Sequence, residues 1–136
     1  MPRLYREMPL ASIWEGSGNV MALDVLRALK ASPEVLHAYL DEVDEAAGAD
    51  ARLDAFVARL RQEFADAAAI ESRARRVVEH MALALQGSLL VRHAPPAVAD
   101  AFCAARLAGD GGLQYGTLPP SVDTQAIIAR HTPRPA

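Results

Sequence analysis

Residues 51–64, ARLDAFVARLRQEF, decide the fold class. Leu53, Phe56, Val57, Leu60 and Phe64 recur at steps of three, one, three and four. That spacing marks one face of an α-helix and conflicts with the two-residue period of a strand. Asp50, just before, is a helix-capping residue type. Upstream, Ser32-Pro33-Glu34 supplies an N-cap, a proline at the first helical position and an acid in the first turn. The helix it opens carries Val35, Leu36, Tyr39, Leu40 and Val43 and is expected to end near Gly48. Further upstream, a first helix follows Ser17-Gly18-Asn19. Its Val20, Met21, Leu23, Val25, Leu26 and Leu29 are too many for one narrow stripe, so it is expected to be covered on more than one side.

Downstream, Ala67 to Arg92 reads as one long helix with Ile70, Ala74, Val77, Val78, Met81 and Leu85 on a single face. Gly87 inside it marks either close helix packing or a bend. Pro95-Pro96 ends this helix and starts the next, which carries Val98, Phe102 and Leu107 and stops at Gly109. Residues 109–122 read as a loop. After Pro119-Pro120, Ser121 or Asp123 can cap a short helix bearing Ile127 and Ile128, and residues 132–136 read as a flexible tail. No stretch alternates like a strand and no internal repeat appears. The expected fold is all-α, a single helical-bundle domain over residues 1–136 with about five to six helices.

Composition narrows the setting. Of 136 residues, 51% are hydrophobic but only 5% aromatic, so Ala, Leu and Val supply the apolar content and favour closely packed helices. No apolar run approaches the roughly 20 residues of a membrane span, so no membrane partner is expected. The N-terminus lacks the pattern of a signal peptide. Cys103 is the single cysteine, which excludes an internal disulfide and fits a reducing, cytoplasmic setting. Residues 1–69 carry 12 acidic and 7 basic side chains, whereas residues 70–136 carry 5 and 7. Arg73, Arg75 and Arg76 are the densest basic group and a possible nucleic-acid contact. A surplus of two positive charges is a weak signal, because phosphate-driven binding needs several cations at once.

Candidate chemistry concentrates near the N-terminus, in residues 3–20, RLYREMPLASIWEGSGNV. Ser12-Ile13-Trp14-Glu15 fits a capping box, in which Glu15 reaches back to the start of a helix. The same carboxylate beside the ring of Trp14 would be partly desolvated, which raises its pKa toward the range useful for proton abstraction. Gly16 and Gly18 let a ligand approach the backbone, and Ser17 and Asn19 can hydrogen-bond it at a helix N-terminus. Arg27 is a charge amid Val25, Leu26, Ala28 and Leu29, which its spacing explains as the polar edge of the helix. His37, His80, His93 and His131 show no metal-ligand spacing, so no metal site is expected. Cys103, between Phe102 and Ala104, reads as a small buried hydrophobe rather than a nucleophile. Gly109-Asp110-Gly111-Gly112 lacks the Gly-Lys-Ser/Thr ending of a phosphate-binding loop.

Residues 3–29, RLYREMPLASIWEGSGNVMALDVLRAL, resemble the last catalytic segment of the acyl-CoA dehydrogenases. The Trp-Glu-Gly-Ser-Gly-Asn form followed by Leu-Asp-Val-Leu-Arg is similar more narrowly to the AidB-type branch, flavoproteins associated with the bacterial response to DNA alkylation. The resemblance implies the C-terminal helical domain of that family. It aligns Glu15 with the base that removes the α-proton of an acyl-CoA thioester while FAD takes the β-hydride. It places Gly16, Ser17 and Asn19 beside substrate and FAD, Trp14 at the wall of the flavin pocket, and Arg27 near the substrate region. A charge there departs from a pocket built for a fatty acyl tail.

The resemblance also implies N-terminal and middle domains that this stretch of sequence lacks, with residues 1–19 forming the catalytic and flavin-motif segment. The chain is then expected to be a C-terminal fragment with little or no dehydrogenase activity alone, and apolar surface left by the missing domains implies a homo-oligomer. The alternative function is a non-catalytic helical module for self-association or weak DNA binding.

Overall fold

Asp50 starts the helix against which the rest of the fold is packed. Its Oδ1 accepts hydrogen bonds from the backbone N–H groups of Arg52, at 2.8 Å, and Leu53, at 3.4 Å. The capping expected from sequence is therefore present, and it satisfies donors at the helix start that have no partner within the helix. A computed structural model describes residues 2–12, 14, 16–112, 114 and 116–133. Its helices are α1 (Pro2–Glu7), α2 (Gly18–Ala31), α3 (Pro33–Asp44), α4 (Ala51–Ala65), α5 (Ala74–His93), α6 (Pro96–Phe102) and α7 (Thr124–His131). There is no strand among the described residues. The all-α expectation holds, with α1 and the 3-10 turn Met8–Ser12 added to the helices read from sequence.

The core lies where α4 meets α5 and the end of α6. Leu53, Leu60, Val77 and Cys103 are almost wholly buried there, with Val43 of α3 and Leu107 beside them. Gly87 resolves to close packing: α5 runs on to His93, and the glycine faces Leu53 and Leu107. The Tyr39 hydroxyl donates to the Met81 carbonyl at 2.8 Å, tying α3 to α5, and its burial pushes the phenol pKa up. Beyond Phe102 the backbone widens into a π-helical turn, Cys103–Leu107, and Gly109 closes it at φ +74°. Val122 returns from the loop to pack on Ala101 and Ala104, and Asp123 then caps α7 by accepting from the Ala126 N–H at 2.9 Å.

Three expectations need correction. The long helix over residues 67–92 is broken. Residues Ala67–Arg73 form a 3-10 segment with Ala69 at φ −133°, and α5 begins only at Ala74. Side chains of the segment bond locally and back to α4. Ser72 Oγ donates to the Ala69 carbonyl, and the Arg73 guanidinium turns back onto Glu63 and Asp66 at the end of α4. Ser32 stands at the start of α3 without a side-chain capping bond, so Pro33 alone marks that start. Finally, α2 is covered on one side only. Ala22 is its single buried residue, while Val20 and Met21 are each 49% exposed.

No helix among the described residues is long and apolar enough to cross a membrane. Of the tail expected over residues 132–136, Arg134–Ala136 lie outside the described residues.

Candidate functional site

The turn into α2 is built by a glycine that no other residue replaces without strain. Gly16 adopts φ +116°, where an L side chain is disfavoured, and a Cβ there would also touch Val20 at 3.4 Å. Ser17 follows in extended geometry, φ −70° and ψ 157°, and its carbonyl accepts the first α2 bond, from the Met21 N–H at 3.1 Å. The Ser17 hydroxyl makes no capping bond. Among the described residues, then, no side chain caps the first amides of α2, which leaves them able to meet an external acceptor. Asn19 is exposed beside them.

Arg75 adds a cation from a distant part of the chain. A Cβ placed on Gly18 would lie 4.0 Å from the Arg75 Nη2, so α5 brings this guanidinium over the start of α2. Arg75 makes no ion pair among the described residues. Helix-dipole charge and an arginine of the same sign thus meet at one point, an arrangement suited to an anionic or acceptor-rich group. Sequence reasoning assigned Arg75 only to a basic cluster. Its distance in sequence from Gly18 leaves no signal of the juxtaposition.

The other candidates distribute as follows. Trp14 is 60% exposed, and its backbone N–H donates to the Leu10 carbonyl at 2.8 Å. Glu15 lies outside the described residues, and so does the capping box that would join it to Ser12. Arg27 pairs with Asp24 one turn back, with both side chains exposed. It sits about 12 Å along α2 from Asn19, taking a rise of about 1.5 Å per residue, so the structure does not bring it to the Gly-Ser-Gly-Asn turn. Arg27 instead borders a cleft of about 870 Å³ walled by Leu23, Leu26, Leu36, Phe64 and Ile70. Four chain segments build that cleft, which is why no local pattern announces it.

Arg73 and Arg76 both turn onto Glu63, at 3.3 and 2.7 Å, and Arg73 also meets Asp66 at 2.6 Å. Of the grouped arginines, Arg75 alone has no ion pair with an acid among the described residues. Cys103 is fully buried, and desolvation with the nearby Asp50 carboxylate pushes its thiol up to about 11. His80 packs edge-on against Phe56 at 5.1 Å, and His131 Nδ1 lies 2.9 Å from the Ile127 carbonyl. Among the described residues no three His, Cys, Asp or Glu side chains are grouped to hold a metal ion.

No protein-family model matches the chain. Over 114 residues, 84% of its length, it is 40% identical to the protein named "Putative acyl-CoA dehydrogenase AidB" of Escherichia coli (strain K12). It spans 21% of that protein, about a fifth. The chain is thus a relative of the acyl-CoA dehydrogenases on the AidB side of that family, over more of its length than the quoted residues 3–29.

Proposed function

We propose that this chain is the C-terminal helical domain of an AidB-like acyl-CoA dehydrogenase, and that it contributes the proton-abstracting base and part of the flavin site to a longer, cytoplasmic polypeptide. The observation that carries the reading is the turn Gly16–Asn19. Its positive-φ glycine, open amides and unengaged Ser17 hydroxyl fit a polar cofactor edge, and its sequence is the segment that resembles the family's catalytic motif. Ser17, Asn19 and the first amides of α2 would hold the acceptor-rich part of FAD, with Arg75 offsetting its negative charge. Bound FAD supplies the acceptor for the β-hydride of an acyl-CoA thioester.

The protein's own part is the proton. Glu15, as the carboxylate, takes the α-hydrogen of the thioester as a proton. Arg27 lies well along α2 from this point and takes no part in the reading.

The test compares two proteins. In the full-length polypeptide, Glu15→Gln should abolish exchange of the thioester α-proton with solvent while flavin absorbance and helical content stay unchanged. Exchange at the wild-type rate would remove Glu15 from the mechanism. The 136-residue chain alone should remain colourless after incubation with FAD.

The alternative reading, a helical module that binds DNA, has less support. Glu63 and Asp66 compensate Arg73 and Arg76, and one unpaired Arg75 neutralises too little phosphate for salt-dependent binding of useful strength. A duplex-binding titration across ionic strength separates the two readings.

A further inference from the structure

The segment Ala67–Arg73 is held in a form that its own sequence does not favour. It runs as a 3-10 helix for 7 residues, where such runs seldom pass about three or four. Its residues, AAAIESR, are mainly good α-helix formers, and they follow Asp66, a helix-capping residue type. Yet Asp66 makes no side-chain capping bond, and its carboxylate instead meets Arg73 Nη1 at 2.6 Å. Ser72 Oγ likewise donates to the Ala69 carbonyl at 2.8 Å, the acceptor that the Arg73 N–H would take in an α-helix. We infer that Ala67–Arg73 is a latched two-state segment, which switches between the 3-10 form and an N-terminal extension of α5, with Arg73 as the latch.

The two forms use the same groups differently. In the 3-10 form Arg73 pairs with Glu63 at 3.3 Å and with Asp66, and it donates to the Asp66 carbonyl. Its Nε is buried there without an aligned hydrogen bond, so the latch leaves one donor unsatisfied. Rotating Ala69 from φ −133°, ψ 28° to helical values lets the carbonyls of Ala67, Ala68 and Ala69 accept from the N–H groups of Glu71, Ser72 and Arg73. Asp66, once released, is placed to cap the amides of Ala68 and Ala69. Each form thus offers bonds that the other gives up, which keeps both within reach of one chain.

The switch reaches two places outside the segment. Ala69, Ile70 and Glu71 wall the cleft beside Arg27, so that wall moves with it. In the extended helix Glu71 stands four residues before Arg75, the order in which an acid and a base pair best along a helix. In the 3-10 form Arg75 lies over the start of α2 and has no ion pair among the described residues. The latched form therefore leaves Arg75 to an anion, and the extended form engages it with Glu71. An anion on Arg75 favours the latched form in turn, because it binds that form more tightly. The switch itself depends on the contacts of this segment, whatever the turn at α2 binds.

Nuclear magnetic resonance on the 136-residue chain tests it through the Cα chemical shift of Ala69. In wild type that shift should stand apart from the helical values of residues 74–93. Arg73→Gln should move it to those values, with new nuclear Overhauser contacts between Ala68 and Ser72. Asp66→Asn should do the same, since asparagine still caps a helix but no longer holds the guanidinium by charge. Asp66→Ala, which loses latch and cap together, should move it less. Adding Glu71→Lys to Arg73→Gln should move it part of the way back, because a like charge then faces Arg75 one turn on. A wild-type shift that is already helical overturns the inference. So does a shift that stays at its wild-type value, or moves to the random-coil value, in Arg73→Gln or Asp66→Asn. A shift that ignores Glu71→Lys removes Arg75 from the switch. Should Arg73→Gln lose the circular dichroism of the fold, Asp66→Asn decides, because the Asp66 side chain is 59% exposed and lies outside the core.

Discussion

A Cβ added to Gly87 would come within 2.9 Å of Leu107 Cδ1 and 3.1 Å of Leu53 Cδ1. The axis of α5 is thus as close to α4 and the π-helical turn as a missing side chain allows. Alanine in a helix is ordinarily favoured over glycine by about 1 kcal/mol. Here both leucines are almost fully buried and their Cδ1 methyls must shift to admit the added carbon, and overpacking of that kind costs about 1–3 kcal/mol. Gly87→Ala should therefore destabilise the chain by about 1–2 kcal/mol in urea unfolding. A gain in stability would mean that Leu107 and Leu53 repack freely.

Asp50 joins helix capping to electrostatics. Arg52 donates Nη2–H bonds to Asp50 at 2.6 Å and to Asp100 at 2.9 Å, bridging the start of α4 to α6. The Arg52 hydrogen bonds are the main cause that holds the Asp50 carboxyl at about 2. A folded pKa below the unfolded value means that the unfolded state binds more protons between the two. The contribution is complete above pH about 4 and disappears as pH falls through about 2, and it amounts to about 1–2 kcal/mol. Asp50→Asn keeps a capping oxygen but loses the charge. It should be less stable than wild type by that amount at pH 7, with the gap closing as pH falls from about 4 to about 2.

The Cys103 thiol, buried and raised to about 11, should resist alkylation at pH 8. Iodoacetamide labelling should proceed only through opening of the fold, so its rate should rise with denaturant along the unfolding transition. Labelling at the speed of a free thiol in native buffer would place Cys103 at the surface.

How much of this was readable in advance depended on whether the cause was local. Asp50, Pro33, Gly109 and Asp123 act within a few residues of themselves, and all four do what their sequence context implies, whereas Ser32 makes no capping bond. The face Leu53–Phe56–Val57–Leu60 is buried as its period requires. The break before Ala74 was not legible: it goes with Arg73 reaching back to Glu63 and Asp66 at the end of α4, a tertiary contact that helix propensity does not register. The apolar pattern of α2 implied cover on two sides, and within one chain only one side has it. At the candidate site, the motif from Gly16 to Asn19 was readable from its order of residue types. The approach of Arg75 to Gly18 was not, because only the packing of α5 on α2 creates it.

Glu63 offers a direct test of whether the basic group has any business with phosphate. Its carboxylate holds Arg76 at 2.7 Å and Arg73 at 3.3 Å, so two of the three grouped arginines are compensated in the native fold. Wild-type chain should bind duplex DNA weakly and with a shallow dependence on salt. Glu63→Gln keeps the side-chain shape and frees most of that positive charge. Each extra phosphate neutralised steepens the slope of log affinity against log salt by about 0.9, so the variant's slope should steepen by about one to two. It should also lose about 1 kcal/mol of folding stability, because the partly buried guanidinium of Arg73 keeps only Asp66 as an acidic partner. A variant that loses stability while its DNA binding stays flat with salt would assign Arg73 and Arg76 to the architecture between α4 and α5, leaving Arg75 to the turn at the start of α2.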